Sequence, residues 1–271
     1  MGNKSLNEFA KEKRVSRSTL YRHFLKFKGR PCKPKPYNCY GEIILIDGTY
    51  LGWSQGTRVV VLVARTKTQI ICWKFCDTES GETWELFLRC LQKPQAIVCD
   101  GQKGMLKAIR VVWHDEVIIQ RCLFHLQSRA LGRLTLNPKL EQAQTLRKIC
   151  TQICKINSIA QRDVWIESYF TWKKDNTNFL RQMAYYQHPQ TGKLVYYYLH
   201  KSVRSVVASI DQALPFMFAY LENPGIPRTT NYLEGGTNAR LKELIHRHRG
   251  TSMANKLVLT ARYLRKQQKL S

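Results

Sequence analysis

The segment Ile43-Ile44-Leu45-Ile46-Asp47-Gly48-Thr49-Tyr50 decides the fold class, because an apolar run that resembles a buried strand ends on a carboxylate. The predicted strand covers residues 42–50, and two further strand-like segments follow at hairpin spacing, over 58–64 and 69–75. Helices and strands then alternate: a helix over 82–91, a strand over 96–99, a helix over 103–112 and a strand over 116–120. Three hairpin strands followed by this alternation predict an α/β fold with a ribonuclease H-like layered core.

Three acidic residues occupy positions at the ends of predicted buried strands or at the start of a predicted helix, where a charged side chain requires a binding partner. Asp47 closes the first apolar run, and Asp100 closes the run Ala96-Ile97-Val98-Cys99. Glu234 begins a predicted helix over 234–247, inside the motif Asn231-Tyr232-Leu233-Glu234-Gly235-Gly236-Thr237-Asn238. A buried carboxylate costs free energy unless a cation or strong donors meet it. Because the first and fourth strands of a ribonuclease H-like sheet are neighbours, we expect the three carboxylates to converge and to suit a pair of Mg²⁺ or Mn²⁺ ions.

A simpler alternative remains open for the two aspartates, since each is followed by glycine and Asp-Gly pairs often only cap turns. The arrangement of polar residues on the predicted helix of Glu234 favours a catalytic metal site instead. Asn238 lies one turn beyond Glu234 and Asn231 nearly one turn before it, on the same face. Glu243 falls on the opposite face, about 900° away at ~100° per residue. The polar and basic residues expected to contact DNA from this part of the chain are Asn231, Asn238, Arg240, Arg247 and Arg249.

The charge balance indicates a polyanionic partner. The chain of 271 residues has 44 Lys and Arg against 19 Asp and Glu, a net charge of +25. Solubility alone, or an acidic membrane, is the alternative, but the sequence contains no long apolar or basic amphipathic anchor. The N-terminal residues do not resemble a signal peptide, and nine cysteines is an odd count. We therefore expect a nucleic-acid enzyme with reduced thiols, cytoplasmic and associated with the nucleoid.

The N-terminal residues form a basic unit of their own, over 1–28. Its apolar spacing fits two short helices, with Ser16 as the N-cap of the second, which is the pattern of a helix-turn-helix. An ordinary basic helical hairpin is the alternative. A Pro- and Lys-rich linker over 29–40 follows. The residues expected to contact bases are Arg17, Ser18, Thr19, Tyr21 and Arg22.

The middle of the chain changes to a helical pattern. The core is expected over 41–135, an all-helical insertion over 136–225, and completion of the core over 226–271. Predicted helices cover 140–156, 164–172, 179–186 and 203–221, the last with a kink at Pro215. The pairs Cys122/His125 and Cys150/Cys154 have no partner pair at zinc-site spacing, so a helix cap or a core thiol is the preferred interpretation.

Taken in order, these motifs resemble the Mutator-like superfamily of DDE transposases, in its bacterial insertion-sequence branch. The resemblance covers about residues 41–266. It is carried by four segments: Leu45-Ile46-Asp47-Gly48-Thr49-Tyr50, Ile97-Val98-Cys99-Asp100-Gly101, Cys122-Leu123-Phe124-His125 and the Asn231–Asn238 motif. Each segment alone is a weak signal, and four in the right order are fairly specific.

The resemblance implies a recombinase in which Asp47, Asp100 and Glu234 bind two Mg²⁺ or Mn²⁺ ions. His125 would assist near the scissile DNA, with Cys122 close by. The implied partners are double-stranded DNA, at transposon ends and target, and further copies of the chain in a homodimer or larger assembly. The family often has a cysteine-rich N-terminal module, matched here by Cys32 and Cys39 at most. A non-catalytic or decayed DNA-binding derivative and a stand-alone metal-dependent nuclease therefore remain as alternatives.

Overall fold

This computed structural model describes residues 39–54 and 57–269, together with residues 11, 12, 14 and 16. The predicted helix-turn-helix and most of the linker lie outside the described residues. So do all five residues predicted there to contact bases: Arg17, Ser18, Thr19, Tyr21 and Arg22.

A five-stranded mixed sheet organises the N-terminal half of the described chain. Its strands are β1 (Ile43–Ser54), β2 (Thr57–Arg65), β3 (Ile70–Cys76), β4 (Ala96–Cys99) and β5 (Ile118–Arg121). Their order in the sheet is β3-β2-β1-β4-β5, with the first three strands antiparallel. The Gln95 N–H donates to the Glu42 carbonyl at 2.9 Å, which joins the residues that precede β4 and β1, so these two strands run in the same direction. The predicted mixed α/β class and the adjacency of β1 and β4 are confirmed.

The described chain divides into two compact units. The first takes in the described residues up to Ile97, then Gln102–Val117 and the described residues from Asn231 onward. Between β3 and β5 this unit contains the helices α1 (Gly81–Leu88) and α2 (Lys103–Trp113), which pack on each other. Two further helices of this unit follow the second unit in the sequence. Ser80 caps α1 by accepting the Thr83 N–H at 3.1 Å.

The second unit consists of Val98–Gly101 and Ile118–Thr230. Its helices are α3 (Leu123–Leu134), α4 (Glu141–Gln152), α5 (Ile159–Asp175), α6 (Thr177–Arg181), α7 (Lys201–Ala213) and α8 (Ala219–Glu222). Their apolar faces enclose a single cluster of buried side chains, including Leu126, Leu146, Tyr169, Val206 and Ile210. Burial of this apolar surface at about 25 cal/mol per Å² is the main force holding the helices together.

The expected all-helical insertion is wrong in one respect, because the second unit also contains a hairpin. Its strands are β6 (Met183–Gln187) and β7 (Leu194–Tyr198), paired antiparallel. The helix predicted over 179–186 ends at Arg181, since the tyrosines and Val195 that follow favour a pleated surface over a helix. The single helix predicted over 203–221 with a kink at Pro215 is wrong in its length: α7 ends at Ala213, and a 3₁₀ turn over Leu214–Phe216 that contains the proline follows.

The C-terminal part of the first unit begins with a π-helix over Tyr232–Asn238, followed by α9 (Ala239–Arg247) and α10 (Met253–Lys269). An ordinary α-helix from Glu234 was expected, and this expectation is wrong. The pair Gly235-Gly236 weakens α-helical bonding by about 1 kcal/mol per residue, which lets the backbone take the wider i→i+5 turn. Within the described residues no helix combines the length and the apolar character needed to cross a membrane.

Candidate active site

Asp47 lies inside β1 and does not end it, because the strand continues to Ser54 and Asp47 faces Val63 of β2 across the ladder. Its half-buried carboxylate accepts a hydrogen bond from the Asn238 side-chain amide, with 2.8 Å between Asp47 Oδ2 and Asn238 Nδ2. Asn238 was expected to face DNA. It is instead 3% exposed and directed at Asp47, and its Oδ1 has no hydrogen-bond partner among the described atoms.

Gly48, directly after Asp47, lies within β1 and does not form a turn. A Cβ there would lie 2.6 Å from the carboxylate carbon of Glu79. Glu79 in turn accepts a hydrogen bond from the side-chain amide of Gln102 at 3.0 Å. Sequence reasoning missed Glu79, whose only signal was the glycine that makes room for it. The turn alternative is therefore wrong for the first Asp-Gly pair.

Asp100 follows β4 and is 2% exposed. Its Oδ2 is 2.7 Å from Nη2 of Arg129, a residue of α3 whose side chain is 45% exposed. A buried carboxylate paired with a guanidinium has part of its charge neutralised by the chain itself. Arg129 was also missed, although it stands four residues beyond His125 on the same helix face.

The second Asp-Gly pair lies in the irregular connection between β4 and α2. Gly101 has φ +71°, in the left-handed region that favours glycine, and a Cβ there would lie 2.9 Å from the side chain of Arg121. Arg121 is buried at the end of β5, and burial lowers the pKa of its guanidinium. The backbone after Asp100 is thus fixed both by its own conformation and by the side chain packed over it.

Cys122 is the N-cap residue of α3 and is completely buried. Its Sγ accepts hydrogen bonds from the Thr230 N–H at 3.3 Å and the Thr230 hydroxyl at 3.2 Å, and its own N–H donates to the Cys99 carbonyl at 2.7 Å. These contacts support the interpretation as a core thiol that fixes the residue before Asp100. His125 lies one turn later and is half-buried.

The remaining cysteine pair is part of the helical core. Cys150 is buried in α4, and burial raises the pKa of its thiol to about 12. The pKa of the Cys154 thiol is raised for the same reason. The eight cysteines among the described residues form no disulfide with one another.

Glu234 lies in the π-helix, and its side chain is outside the described part of the structure. The π-helix is held by Arg65 of β2. Arg65 Nη1 donates to the Tyr232 carbonyl at 2.7 Å and to the Thr237 hydroxyl at 2.9 Å. Partial burial lowers the pKa of the Arg65 guanidinium. Sequence reasoning missed this arginine, which stands 172 residues from Thr237.

Four of the other residues expected to contact DNA lie on the surface of the first unit: Asn231, Arg240, Arg247 and Arg249. Asn231 and Arg240 line a cleft of about 450 Å³ together with Arg65 and Thr237. Arg247 pairs with Glu243 one turn earlier on α9. Arg240 lies on this cleft beside the π-helix, whereas the Arg65 guanidinium donates to groups of the chain itself.

The chemistry of these side chains fits a hard divalent cation. Carboxylate oxygens are the ligands that Mg²⁺ and Mn²⁺ prefer, and the buried Asn238 oxygen beside Asp47 is a further neutral oxygen donor. Among the side chains that the structure describes, no group of three or more His, Cys, Asp or Glu is placed to hold a metal ion. That set does not include the side chain of Glu234.

A family model described as "Transposase, Mutator family" matches residues 19–213, well over half of the chain. The matched segment includes Asp47, Asp100, Cys122 and His125, and it ends before the π-helix that carries Glu234. No curated protein matches the chain at a significant level.

Proposed function

The chain belongs to the Mutator family of transposases, and from that premise we propose that it cuts DNA at transposon ends and joins the freed 3′-hydroxyl to target DNA. The observation that carries the proposal is the strand order of the sheet. Asp47 lies in β1, Asp100 follows β4, and β1 and β4 are neighbours that run in the same direction. Each aspartate stands five residues beyond the hydrogen-bonded pair Glu42 and Gln95, since 47 − 42 and 100 − 95 both equal 5.

The proposed metal ligands are Asp47, Asp100 and Glu234, holding two Mg²⁺ or Mn²⁺ ions. When bound, such a pair activates the attacking oxygen and stabilises the leaving oxygen of an in-line phosphoryl displacement. The chain's own part is to hold the ligands. The amide of Asn238 fixes one oxygen of Asp47. Arg129 fixes one oxygen of Asp100 in the same way.

The residues proposed to contact DNA come from three parts of the chain. His125 is proposed to assist near the scissile phosphate, one turn before Arg129 on α3. The exposed arginines of the π-helix and α9 region are proposed to contact the backbone, and the N-terminal residues 17–22 to recognise the transposon ends. Pairing of two ends would require a homodimer or larger assembly, in the nucleoid of the cytoplasm.

The test is cleavage and strand transfer on DNA that contains the gene's own flanks, with Mg²⁺ or Mn²⁺, for the wild type and Asp100→Asn. We expect metal-dependent joined products from the wild type and none from the variant, because an amide is a poor substitute for a carboxylate ligand. DNA affinity should be unchanged. Asp115→Asn is the matched control, since that side chain is 94% exposed and should not affect joining.

The other outcomes separate the alternatives. Metal-dependent cutting without joined products would indicate a stand-alone nuclease. DNA binding without cutting, by the wild type itself, would indicate a non-catalytic derivative of a transposase. Loss of folding or of DNA affinity in Asp100→Asn would contradict the assignment of Asp100 as a metal ligand.

A further inference from the structure

The hairpin of β6 and β7 presents an exposed aromatic face. Directly paired residues of two antiparallel strands point to the same side, and here the pairs are 183 with 198, 185 with 196 and 187 with 194. We call this side the tyrosine face, and it consists of Met183, Tyr185, Gln187, Leu194, Tyr196 and Tyr198. Tyr185 is 65% exposed and Tyr196 is 61% exposed, with 5.9 Å between their ring centroids. A patch of this kind on a protein surface indicates a binding function.

The hairpin is fixed at its base, although a lone two-stranded sheet is only marginally stable. The ring of His200 stacks on Phe179 with 3.7 Å between centroids, and its Nε2 is 2.7 Å from the Gln182 side-chain oxygen. The guanidinium of Arg204 on α7 lies over the ring of Tyr198 at 3.4 Å. The tyrosine face is therefore a preformed platform, with an arginine at one end.

The chain segment that contains the hairpin carries only basic charges, between Asp175 and Asp211. Residues 176–210 contain no Asp or Glu and four basic residues: Arg181, Lys193, Lys201 and Arg204. Lys193 stands at the turn of the hairpin, and Lys201 lies over the ring of Tyr197 at 5.1 Å, on the side opposite the tyrosine face. A second copy docked on this face would bring like charges together. An anionic occupant with flat apolar groups matches both the charge and the rings.

We propose that the tyrosine face binds single-stranded DNA by stacking unpaired bases on Tyr185 and Tyr196, while the flanking lysines and arginines contact the phosphates. Aromatic side chains stack on bases of any sequence, but only unpaired bases expose their faces. Double-stranded DNA keeps its bases stacked on each other and offers only phosphates to this surface. The source of the unpaired strand, the DNA opened around a cleavage point, rests on the proposed function, whereas the binding itself does not.

The test measures the affinity of the full chain for two labelled strands of about twelve nucleotides, one with bases and one abasic. The wild type should prefer the strand with bases. The double variant Tyr185→Ala/Tyr196→Ala should lose about tenfold or more in affinity for that strand and keep its affinity for the abasic one. Tyr186→Ala is the matched control, because Tyr186 lies in the same strand on the opposite face and is 48% exposed. It should leave both affinities unchanged.

Two further variants identify the interaction. Phenylalanine at both positions keeps the rings and should keep the preference for bases, whereas leucine keeps apolar area without a ring and should lose it. Retention of the preference in the leucine or alanine variant, or an equal loss on the abasic strand, would overturn the proposal. So would wild-type self-association that the alanine variant abolishes, since the occupant would then be a second copy. Asp100→Asn should keep base-dependent binding, so a failure of the catalytic assignment is distinguishable from a failure of this one.

Discussion

Replacing Asn238 with alanine distinguishes two roles for this residue, contact with DNA and fixation of Asp47. The side-chain amide donates to Asp47 at 2.8 Å, and the residue is 3% exposed. A hydrogen bond to a charged group contributes about 1.5–3 kcal/mol, and the half-buried position of Asp47 puts this one at the lower end. We therefore expect Asn238→Ala to lower the free energy of unfolding by about 1–2 kcal/mol.

The assay is urea unfolding followed by tryptophan fluorescence, together with DNA affinity and metal-dependent cleavage. The variant should lose stability and cleavage while its DNA affinity stays at the wild-type value, because the buried amide is not on the DNA-binding surface. Asn231→Ala is the matched control from the same motif. Asn231 is exposed, so its substitution should leave the unfolding free energy within about 0.5 kcal/mol of wild type.

A second substitution at the same position tests the link to metal. Asn238→Asp places a carboxylate beside Asp47, and the repulsion of two like charges should lower stability in the presence of a chelator. Millimolar Mg²⁺ should restore part of that loss, since a cation that binds only the folded state stabilises it. If Asn238→Ala unfolds like the wild type but loses about tenfold in DNA affinity, Asn238 contacts DNA and does not fix Asp47.

Three further results are expected. Gly101→Ala should lower the unfolding free energy by about 1–3 kcal/mol, because φ is +71° and a Cβ would meet Arg121 at 2.9 Å. Gly132→Ala is the control, since a Cβ there meets nothing within 4 Å, and it should be neutral or stabilising; equal effects of the two variants on thermal unfolding would contradict the prediction. Burial raises the pKa of the Cys72 and Cys150 thiols to about 12, so the unfolded chain loses these protons at lower pH than the folded chain. The unfolding free energy should therefore fall from pH 9 to 12, by up to about 1.4 kcal/mol per thiol and pH unit. If the slope of the unfolding free energy against pH, measured by urea titration, is unchanged in Cys72→Ala, the prediction is wrong. DNA affinity should fall steeply as salt rises, through counterion release, and a flat response between low and moderate salt would argue against a basic DNA-binding surface.

The sequence predicted the strands and helices of the first unit because their apolar periodicity is local. Every strand of the large sheet was expected within a few residues, and the adjacency of β1 and β4 followed from the order of elements. The helix ends were less well placed. The β6–β7 hairpin was missed although Pro189 and Gly192 stand between its two strands, because each tyrosine-rich segment is compatible with a helix until it pairs with the other.

The sequence also identified Asp47 and Asp100, since a carboxylate at the end of an apolar run is conspicuous without any structure. The sequence could not identify the side chains that bind these two carboxylates. Asn238 stands 191 residues from Asp47, and Arg129 is 29 residues from Asp100. Such contacts depend on how the chain closes on itself, and no local pattern encodes them.

The sequence by itself therefore determined a basic chain, an α/β class, and carboxylates in motifs that resemble one family of transposases. Only the tertiary structure decided the partners of those carboxylates, the π-helix that carries Glu234, and the exposed tyrosine face. The physical reason is the range of the interactions. Periodicity and turn propensity act over a few neighbouring residues, whereas hydrogen bonds to a carboxylate and exposure of a ring are set by residues distant in the chain.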